Sequence, residues 1–451
     1  MNPEHPPLAK LLAALPLLAL HPAFDTNGQI WKTADEVNFG DQFLYGNDAD
    51  RLLFWARLPM VLVAAIGAGA TFLWARDLFG AAAGLFALTL YAFCPNLIAH
   101  GMLVTTDVPL AAFTVLTLYL FWKRGNNPSW SNDFITGLAL GAAMASKFSG
   151  AMLPLIIIVL CIIRKHLASL VVMAAAAVLV IESAFLFSGS PFLYLRNIWF
   201  VNANHSPTYP FFLFGNMSSA GWWYYFPVAF AVKATLPVLL CVVIASVCAT
   251  RGFVDRWGEI ILLGTTLVFV VITTIGAAQV GIRYILPVFP LLFVWVSRIA
   301  PYFMTSRWGV VVLGTLLAWH VWSGLSSFPN YIPYFNELAG GSEGGPEILD
   351  DSNIDWGQGL KQAAEYVRKK HLPPDNTFFY NSFTGLGPEY YGLPGNFSSR
   401  EVVDRLVTHV PAAGTYILSS HFVTRISHSY RHWQAYKPVD RIGESLWVYK
   451  F

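Results

Sequence analysis

The feature that most constrains this chain is a series of apolar segments, most of them close to the length that a helix needs to cross a bilayer. About eleven such segments lie within the first 324 residues, where roughly 20 predominantly apolar residues are needed for each crossing. They lie near residues 8–24, 58–75, 81–99, 108–122, 134–147, 150–163, 168–187, 226–249, 258–275, 284–300 and 308–324. The sequence therefore predicts an all-α polytopic membrane domain.

The composition excludes several other classes of protein. Only 12% of the 451 residues are charged, whereas soluble globular proteins have about 25%. The net charge of +2 gives no electrostatic support for a nucleic-acid partner. With 55% hydrophobic residues, the chain is also too apolar to be disordered.

The charged residues divide the chain into two parts. Residues 325–451 hold 24 of the 54 charged residues, and residues 1–324 hold the remainder. We therefore expect a transmembrane domain over 1–324 and a small water-exposed α/β domain over 325–451. In the latter, helical spacing runs over 358–371, and residues 377–380, 415–419 and 446–449 have the composition of short strands.

The basic residues predict how the chain lies in the membrane. If the N-terminus is cytoplasmic, ten of them fall in short loops on one side, as the positive-inside rule requires. These are Lys10, Arg76, Lys123, Arg124, Arg164, Lys165, Arg251, Arg256, Arg298 and Arg307. An odd number of spans then puts the C-terminal domain outside a plasma (inner) membrane, together with two long loops at about 25–57 and 188–225.

Three cations remain at the outer ends of separate predicted helices. Lys147, Lys233 and Arg283 are expected at one depth, near the outer headgroups. Each is able to snorkel to the interface independently, but three at one level favour an anion site, since ionisable residues within spans are costly and usually functional. The natural anion at that depth is a lipid phosphate.

Carboxylates lie on the same predicted side. Asp35 and Glu36 are in the first outer loop, and Asp107 begins the fourth span. The alternative interpretation of Asp35 and Glu36 is a solvated loop, and that of Asp107 is a helix N-cap. Glu182, near the outer end of the seventh span, is a possible partner for one of the basic residues.

Outward carboxylates beside a lipid-phosphate site suggest transfer of a phosphate-linked sugar. The cations would neutralise the departing phosphate, and one carboxylate would serve as general base for the acceptor hydroxyl. Displacement with a single base inverts the anomeric centre.

Several motifs give the chain a resemblance to the GT-C glycosyltransferases of family 39, which include the protein O-mannosyltransferases and, more distantly, the aminoarabinose transferases that modify lipid A. The resemblance rests on the order of these motifs along the chain and on the side of the membrane where they are expected. They are Asp35-Glu36, HGMLVTTDVP (100–109), SKFSG (146–150), WWYYFPVAFAVKATLP (222–237), GIRYILPVFP (281–290) and, in the C-terminal domain, YFNELAGG (334–341) and DSNIDWGQ (351–358).

The resemblance implies a polyprenyl-phosphate-linked sugar as donor and transfer on the outer face. It implies Asp35 as catalytic base, Glu36 as its neighbour in orienting base or acceptor, and Asp107 as the second acid. The residues implied to hold the lipid phosphate are Lys147, Lys233, Arg283 and Tyr284.

The resemblance leaves a divalent metal open, with Glu36, His100 and Asp107 as candidate ligands. A headgroup-level histidine without a ligand is the alternative for His100. The chain lacks the long outer insert of the eukaryotic O-mannosyltransferases, so the acceptor stays open among a glycan, a lipid and a protein. DSNIDWGQ is interpreted either as an acceptor contact or, preferably, as a capped turn before the 358–371 helix.

Two other functions compete with the enzyme. A membrane transporter or lipid flippase would show two related halves and a site at the bilayer midplane, and the sequence has neither. A membrane anchor that displays the C-terminal domain would need only one or two spans.

Overall fold

The computed structural model describes residues 4–188, 190, 192–204, 210–250, 252, 254–381, 385, 387–394, 406 and 411–451. The part up to residue 326 is almost entirely helical. Its helices are α1 Leu8–Ala14, α2 Gln29–Lys32, α3 Glu36–Tyr45, α4 Ala49–Phe79, α5 Ala81–Ala92, α6 Pro95–Gly101, α7 Asp107–Asn126, α8 Trp130–Ser146, α9 Met152–Arg164, α10 Leu167–Ala184, α11 Leu193–Asn204, α12 Tyr225–Lys233, α13 Leu236–Ala249, α14 Arg256–Gly276, α15 Val288–Val296, α16 Ile299–Phe303 and α17 Arg307–Ser326. A short antiparallel hairpin, β1 Phe211–Leu213 and β2 Asn216–Ser218, precedes α12.

The apolar helices are those of a multi-pass membrane protein. Within the described residues, four helices are each long and apolar enough to cross a bilayer, namely α4, α10, α14 and α17. Two more candidate spans are bent pairs, α5 with α6 at 61° and α12 with α13 at 114°. Shorter apolar stretches cover Leu8–Ala19, Phe148–Arg164 and Val288–Phe303. Length and composition thus give up to six spans, and the count of eleven stays a prediction.

Small residues allow the helices of the bundle to pack closely. At Gly137 of α8, an added Cβ would come 2.5 Å from the backbone oxygen of Met173 in α10. One turn later, at Gly141, it would come 2.7 Å from the backbone oxygen of Ala177. Close approach through small residues is how helices gain packing contacts inside a bilayer, where lipid tails are as apolar as the side chains.

The first predicted span does not cross the bundle. Leu8 and Leu11 pack in one apolar cluster with Ala145, near the end of α8. After the segment Leu8–Ala19, the amide of Ala23 donates to Asn47 Oδ1 at 2.9 Å, just before α4 begins. The segment therefore begins and ends at one end of the bundle. The described helix of about twelve residues is short for a crossing, which favours Lys10 at the domain end, and the orientation of the N-terminus stays a prediction.

The C-terminal domain packs on that same end, which we call the domain end. Lys361 pairs with Asp50 at the start of α4 (2.5 Å between Nζ and Oδ1), and the Tyr391 hydroxyl donates to Asp50 at 2.8 Å. On the second long loop, the guanidinium of Arg425 donates to the carbonyl of Pro210 at 2.9 Å. Both long loops are thus held by the C-terminal domain.

The C-terminal domain contains a four-stranded mixed sheet with the order β3-β4-β6-β5. The strands β3 Thr377–Tyr380 and β4 Thr415–Ser419 are parallel, and β4 pairs antiparallel with β6 Leu446–Lys450. β5 Asp440–Ile442 closes the other edge. The helices are α18 Gly341–Gly344, α19 Leu360–Lys369, α20 Gly387–Tyr390 and α21 Ser420–Ser429. Strands are present at all three predicted positions and a helix at the fourth, whereas β5, α18, α20 and α21 were not predicted.

The opposite end of the bundle holds buried ion pairs. Arg124 at the end of α7 pairs with Asp133 at the start of α8, with 2.5 Å between Nε and Oδ1, and also donates to Ser169. Arg298 pairs with Glu259 of α14, which also accepts from the indole of Trp295 at 3.3 Å. Arg124 and Arg298, predicted in short loops, are therefore buried and paired.

Candidate functional site

Asp107 lies at the centre of the candidate site, as the first residue of α7 at the domain end. The residue before it, Thr106, occupies the N-cap position without a side-chain capping bond. Instead of capping the helix, the carboxylate of Asp107 accepts from Lys147 Nζ at 2.6 Å. Only 1% of the Asp107 side chain is exposed. The N-cap interpretation of Asp107 is therefore not what the structure shows.

Lys147 reaches Asp107 because α8 ends just before it. The chain becomes extended at Lys147 and turns back tightly at Gly150, where an added Cβ would lie 2.6 Å from the carbonyl oxygen of Ala143. This turn directs the ammonium inward. It lies 4.5 Å from the centre of the Tyr284 ring, which is the geometry of a cation–π contact.

Arg283 approaches the same carboxylate from the other side. It belongs to the short 3-10 helix Ile282–Ile285 that precedes α15. Its Nη1 lies 3.8 Å from Asp107 Oδ2, and its guanidinium lies over Tyr284 at 5.0 Å and over Trp356 at 4.6 Å. Four predicted site residues, from α7, α8 and the Ile282–Ile285 helix, are thus brought together.

Polar atoms without partners surround this cluster. The buried atoms His100 Nδ1, Thr105 Oγ1, Asp107 Oδ2 and Ser149 Oγ have no hydrogen-bond partner within the structure. Buried polar groups are ordinarily satisfied, and an unsatisfied one costs about 1–3 kcal/mol. The site therefore offers two cations, one carboxylate and several hydrogen-bonding atoms to a ligand.

Lys233 lies at the domain end but has a different environment. Its ammonium donates to the carbonyl oxygens of Ile332 at 2.7 Å and Asn353 at 2.8 Å. The ring of Phe335 covers it at 4.3 Å, and the residue is 1% exposed. The ammonium thus joins α12 to the C-terminal domain. Its hydrogen bonds go to protein carbonyls, and the role of Lys233 as a ligand of the lipid phosphate stays a prediction.

Asp35 and Glu36 lie on the first long loop, apart from the contacts of Asp107. Asp35 is the N-cap of α3 and accepts from the side chain of Asn38 at 2.7 Å and from its backbone amide at 3.2 Å. These bonds lower the pKa of Asp35, so the group is a carboxylate at neutral pH. Burial raises the pKa of Glu36, against the opposing charge of Lys10.

The three suspected metal ligands do not form a metal site. Among the described residues, no group of three His, Cys, Asp or Glu side chains is placed to hold an ion. Asp107 is paired with Lys147 and lies near a second cation, Arg283. The charge of Lys10 acts on Glu36. A divalent ion prefers converging carboxylates without neighbouring cations, so Glu36, His100 and Asp107 do not fit one.

Sequence reasoning offered the C-terminal domain an acceptor contact through DSNIDWGQ but did not predict its contacts with Arg283 and His100. Ser352 accepts from Arg283 Nε at 3.2 Å, and the ring of Trp356 lies 6.1 Å from that of His100. Both residues belong to the DSNIDWGQ motif, whose dense polar pattern was the available signal. Arg57 of α4, whose Nε is buried without a hydrogen-bond partner, is a further cation near this end. Among the described contacts, Glu182 forms no ion pair.

Comparisons with known proteins agree with the motif-based resemblance. Residues 50–189 match the profile of a family described as dolichyl-phosphate-mannose-protein mannosyltransferase. That stretch contains Asp107 and Lys147 and leaves out Asp35, Lys233 and Arg283. A comparison with curated protein sequences gives no match.

Solved structures of two glycosyltransferases are also similar to the chain. ArnT from Cupriavidus metallidurans in the apo state is 15% identical, with 99% of this chain and 87% of that chain covered and a TM-score of 0.47. The same enzyme bound to undecaprenyl phosphate is 14% identical, with coverages of 100% and 93% and a TM-score of 0.46. The oligosaccharyltransferase of Archaeoglobus fulgidus in the apo form is 13% identical, with coverages of 85% and 62% and a TM-score of 0.42. The family match confirms that this chain resembles the GT-C glycosyltransferases related to the protein O-mannosyltransferases.

Proposed function

We propose that this protein is an inverting glycosyltransferase that moves a sugar from a polyprenyl-phosphate carrier to an acceptor hydroxyl on the outer face of the membrane. The observation that carries the proposal is the pair of cations, Lys147 and Arg283, that converges on Asp107 at the domain end. The family match over residues 50–189, to proteins described by a dolichyl-phosphate-sugar donor, supports the same donor class.

The cation pair suits a lipid phosphate in charge and in position. Two cations converge on the carboxylate of Asp107, and a phosphate would bring further negative charge to them. Arg283 presents a planar fork of donors that matches phosphate oxygens, and Lys147 adds a compact point charge. Both lie where helices of the bundle meet the C-terminal domain, which is the level at which a lipid headgroup would enter.

In the transfer step, the oxygen of the acceptor hydroxyl forms a bond to the anomeric carbon of the sugar. The bond between that carbon and the phosphate oxygen breaks, and the electron pair leaves with polyprenyl phosphate. Lys147 and Arg283 stabilise the charge that develops on this leaving group. No strong acid is required, because the phosphate is already a good leaving group.

Asp35 is the proposed base that takes the proton of the acceptor hydroxyl, and Glu36 the neighbour that orients base or acceptor. The bonds from Asn38 keep Asp35 ionised, so it is ready to accept a proton. Asp35 lies on a long loop at the same end of the bundle, so this role requires the loop to bring its carboxylate to the bound sugar. Asp107 is already bonded to Lys147; we assign it to holding the two cations in place.

The experiment compares cation variants at the two ends of the bundle. Lys147→Ala and Arg283→Ala should each weaken binding of undecaprenyl phosphate by about ten- to a hundredfold, since a charge-assisted hydrogen bond contributes about 1.5–3 kcal/mol. The matched control is Lys123→Ala, an exposed lysine at the opposite end that contacts Tyr119 and Asp77. Equal affinities in all three variants would remove the phosphate site.

A second measurement tests the base. In purified protein supplied with a polyprenyl-phosphate sugar, Asp35→Asn should abolish release of polyprenyl phosphate while leaving its binding unchanged. Release at the wild-type rate would show that another group takes the proton.

A further inference from the structure

We infer that the segment Asp351–Asn353 of the C-terminal domain positions Arg283, with Lys233 fixing this segment to the membrane helices. The C-terminal domain then contributes to phosphate binding by holding Arg283 in place. This inference rests on the proposed function, because it assigns how one of the phosphate-binding cations is held.

The segment is bonded to Arg283 and to the backbone just before it. The hydroxyl of Ser352 accepts from Arg283 Nε at 3.2 Å and donates to the carbonyl oxygen of Val280 at 2.7 Å. The side-chain oxygen of Asn353 accepts from the backbone amide of Ile282 at 3.0 Å. A hydroxyl has one hydrogen to donate, so these bonds fix the direction of the Ser352 side chain. The backbone before Arg283 and its guanidinium are both fixed from the C-terminal domain.

The same segment is anchored from the membrane side. Asn353 donates its side-chain amide to the Tyr225 hydroxyl at 3.1 Å, and its carbonyl accepts from Lys233 at 2.8 Å. Tyr225 and Lys233 are the first and last residues of α12. One asparagine therefore links both ends of α12 to the backbone of Ile282.

Close packing at Gly281 supports a fixed geometry. An added Cβ at this position would clash with Ser352 Oγ. The backbone of Gly281 is extended, a conformation that any residue adopts, so the requirement for glycine comes from the approach of Ser352. The close approach of Gly281 and Ser352 therefore restricts movement of the two domains against each other at this point.

The other side of the segment is fixed to the sheet of the C-terminal domain. Asp350 pairs with Arg425 of α21, with 2.5 Å between Oδ2 and Nε. The buried carboxylate of Asp355 accepts from Ser419 at the end of β4 and from Asn381 at 2.9 Å. The segment is thus held between the sheet and Arg283, and its bonds to Arg283 and Ile282 give it a direct route to the site.

The test measures lipid binding and stability in the full-length protein. Ser352→Ala should weaken binding of undecaprenyl phosphate about five- to tenfold, consistent with the loss of one net hydrogen bond that orients a charged group. The matched control is Ser342→Ala, which removes a hydroxyl that bonds Glu444 in the same domain at 3.0 Å and should leave affinity unchanged. A purely structural role predicts the reverse, in which both variants lower the melting temperature and neither changes affinity. That result would overturn the inference.

A double substitution tests the contact itself. Gly281→Ala introduces a clash with Ser352 Oγ, and Ser352→Ala removes the atom with which it clashes. We expect the second change to cost far less in the Gly281→Ala background than alone, since contacting residues are not additive. Additive effects on affinity would show that the two residues do not act through their contact.

A third readout separates this inference from the proposed function. Asn353→Ala should speed hydrogen exchange at the amide of Ile282, which has lost its acceptor, whether or not a lipid is bound. If the wild-type protein binds no undecaprenyl phosphate but this exchange rises, the proposed function fails and the positioning of the 280–283 backbone stands. Unchanged exchange would overturn the positioning.

Discussion

The two ends of the membrane bundle differ in how their buried charged side chains are paired. At the end opposite the C-terminal domain, Arg124 faces Asp133 and Arg298 faces Glu259, one cation to one acid. Among the described residues, none of these four side chains has a buried polar atom without a hydrogen-bond partner. At the domain end, two cations face the single carboxylate of Asp107, and unpartnered polar atoms lie around it.

This difference teaches how to separate a structural ion pair from a binding site in a membrane protein. Burying a charge in low dielectric is costly, so a structural charge is matched and its hydrogen bonds are completed. A site for a charged ligand leaves its charge and its hydrogen bonds unbalanced until that ligand arrives. To tell a binding site from a structural ion pair, the number of partners around a buried charge is therefore more informative than the presence of the charge.

The largest expected effect comes from breaking an ion pair at the end opposite the C-terminal domain. Glu259→Gln leaves the guanidinium of Arg298 buried without a counter-charge and should lower the free energy of unfolding by about 3 kcal/mol, the lower end for broken buried pairs. Thermal unfolding in detergent measures it, and added undecaprenyl phosphate should restore none of the loss. Recovery with the lipid would show that the two ends do not differ as described.

The corresponding change at the domain end should behave differently. Asp107→Asn leaves Lys147 and Arg283 without their carboxylate, so the protein should lose stability and sugar transfer. Because a phosphate supplies the missing negative charge, undecaprenyl phosphate should raise the melting temperature of this variant by more than it raises that of the wild type. A smaller rise would mean that the lipid phosphate does not bind near Asp107.

Lys233→Met tests whether a cation at the domain end follows the matched pattern. Two carbonyls accept the hydrogen bonds of the ammonium, whereas acids do so for the cations at the opposite end. Loss of the ammonium should therefore appear as weaker attachment of the C-terminal domain, at about 1–3 kcal/mol for carbonyls left unsatisfied. Limited proteolysis between the two domains measures this. The variant is expected to retain far more affinity for undecaprenyl phosphate than Lys147→Met, and equal losses would return Lys233 to the phosphate site.

The acidic loop gives a prediction about pH. The side chain of Asn38 contributes most to the lowered pKa of Asp35, so Asn38→Ala should bring that pKa back up towards its ordinary value. If Asp35 is the base, the acidic limb of the kcat/KM profile moves to higher pH, because the carboxylate then protonates sooner as pH falls. Asn27→Ala on the same loop is the control, and an unmoved limb in Asn38→Ala would exclude Asp35 as the titrating base.

The smallest effect concerns a buried acid without a matching cation. Burial raises the pKa of Asp355 in spite of its bonds to Ser419 and Asn381, so the folded state binds a proton more tightly than the unfolded state. The resulting stability is present below the ordinary pKa and is lost as pH rises through the raised value. The stability of the wild type relative to Asp355→Asn should therefore fall over this range, and a constant difference in melting temperature would contradict it.

Much of the fold could be predicted because apolar runs and the uneven distribution of charge are local properties of the sequence. The grouping of Asp107, Lys147 and Arg283 followed from their positions at the ends of apolar segments, and Tyr284 was added by the family resemblance. The role of Lys233 did not follow, since its acceptors are backbone carbonyls more than ninety residues away, and carbonyls leave no mark in a sequence.

The first predicted span ends earlier in the structure than its hydropathy suggests, for a related reason. Residues 8–24 have enough apolar character to span, but the 3-10 helix ends at Ala19 and the chain after it bonds to Asn47. Hydropathy reports the preference for a membrane environment and does not report where the chain turns.

The sharp bend between α12 and α13 has a consequence for how this protein is made. The break leaves the carbonyls of Ala231 and Ala234 outside the helical pattern, and both accept from the side chain of Asn336, at 2.6 and 2.7 Å. Inside a bilayer such groups need a partner within the protein, and this one is synthesised about a hundred residues later. We therefore expect the bent segment at 225–249 to reach its final hydrogen bonding only once residue 336 has been synthesised, and a truncation before Asn336 to leave these two carbonyls without this partner.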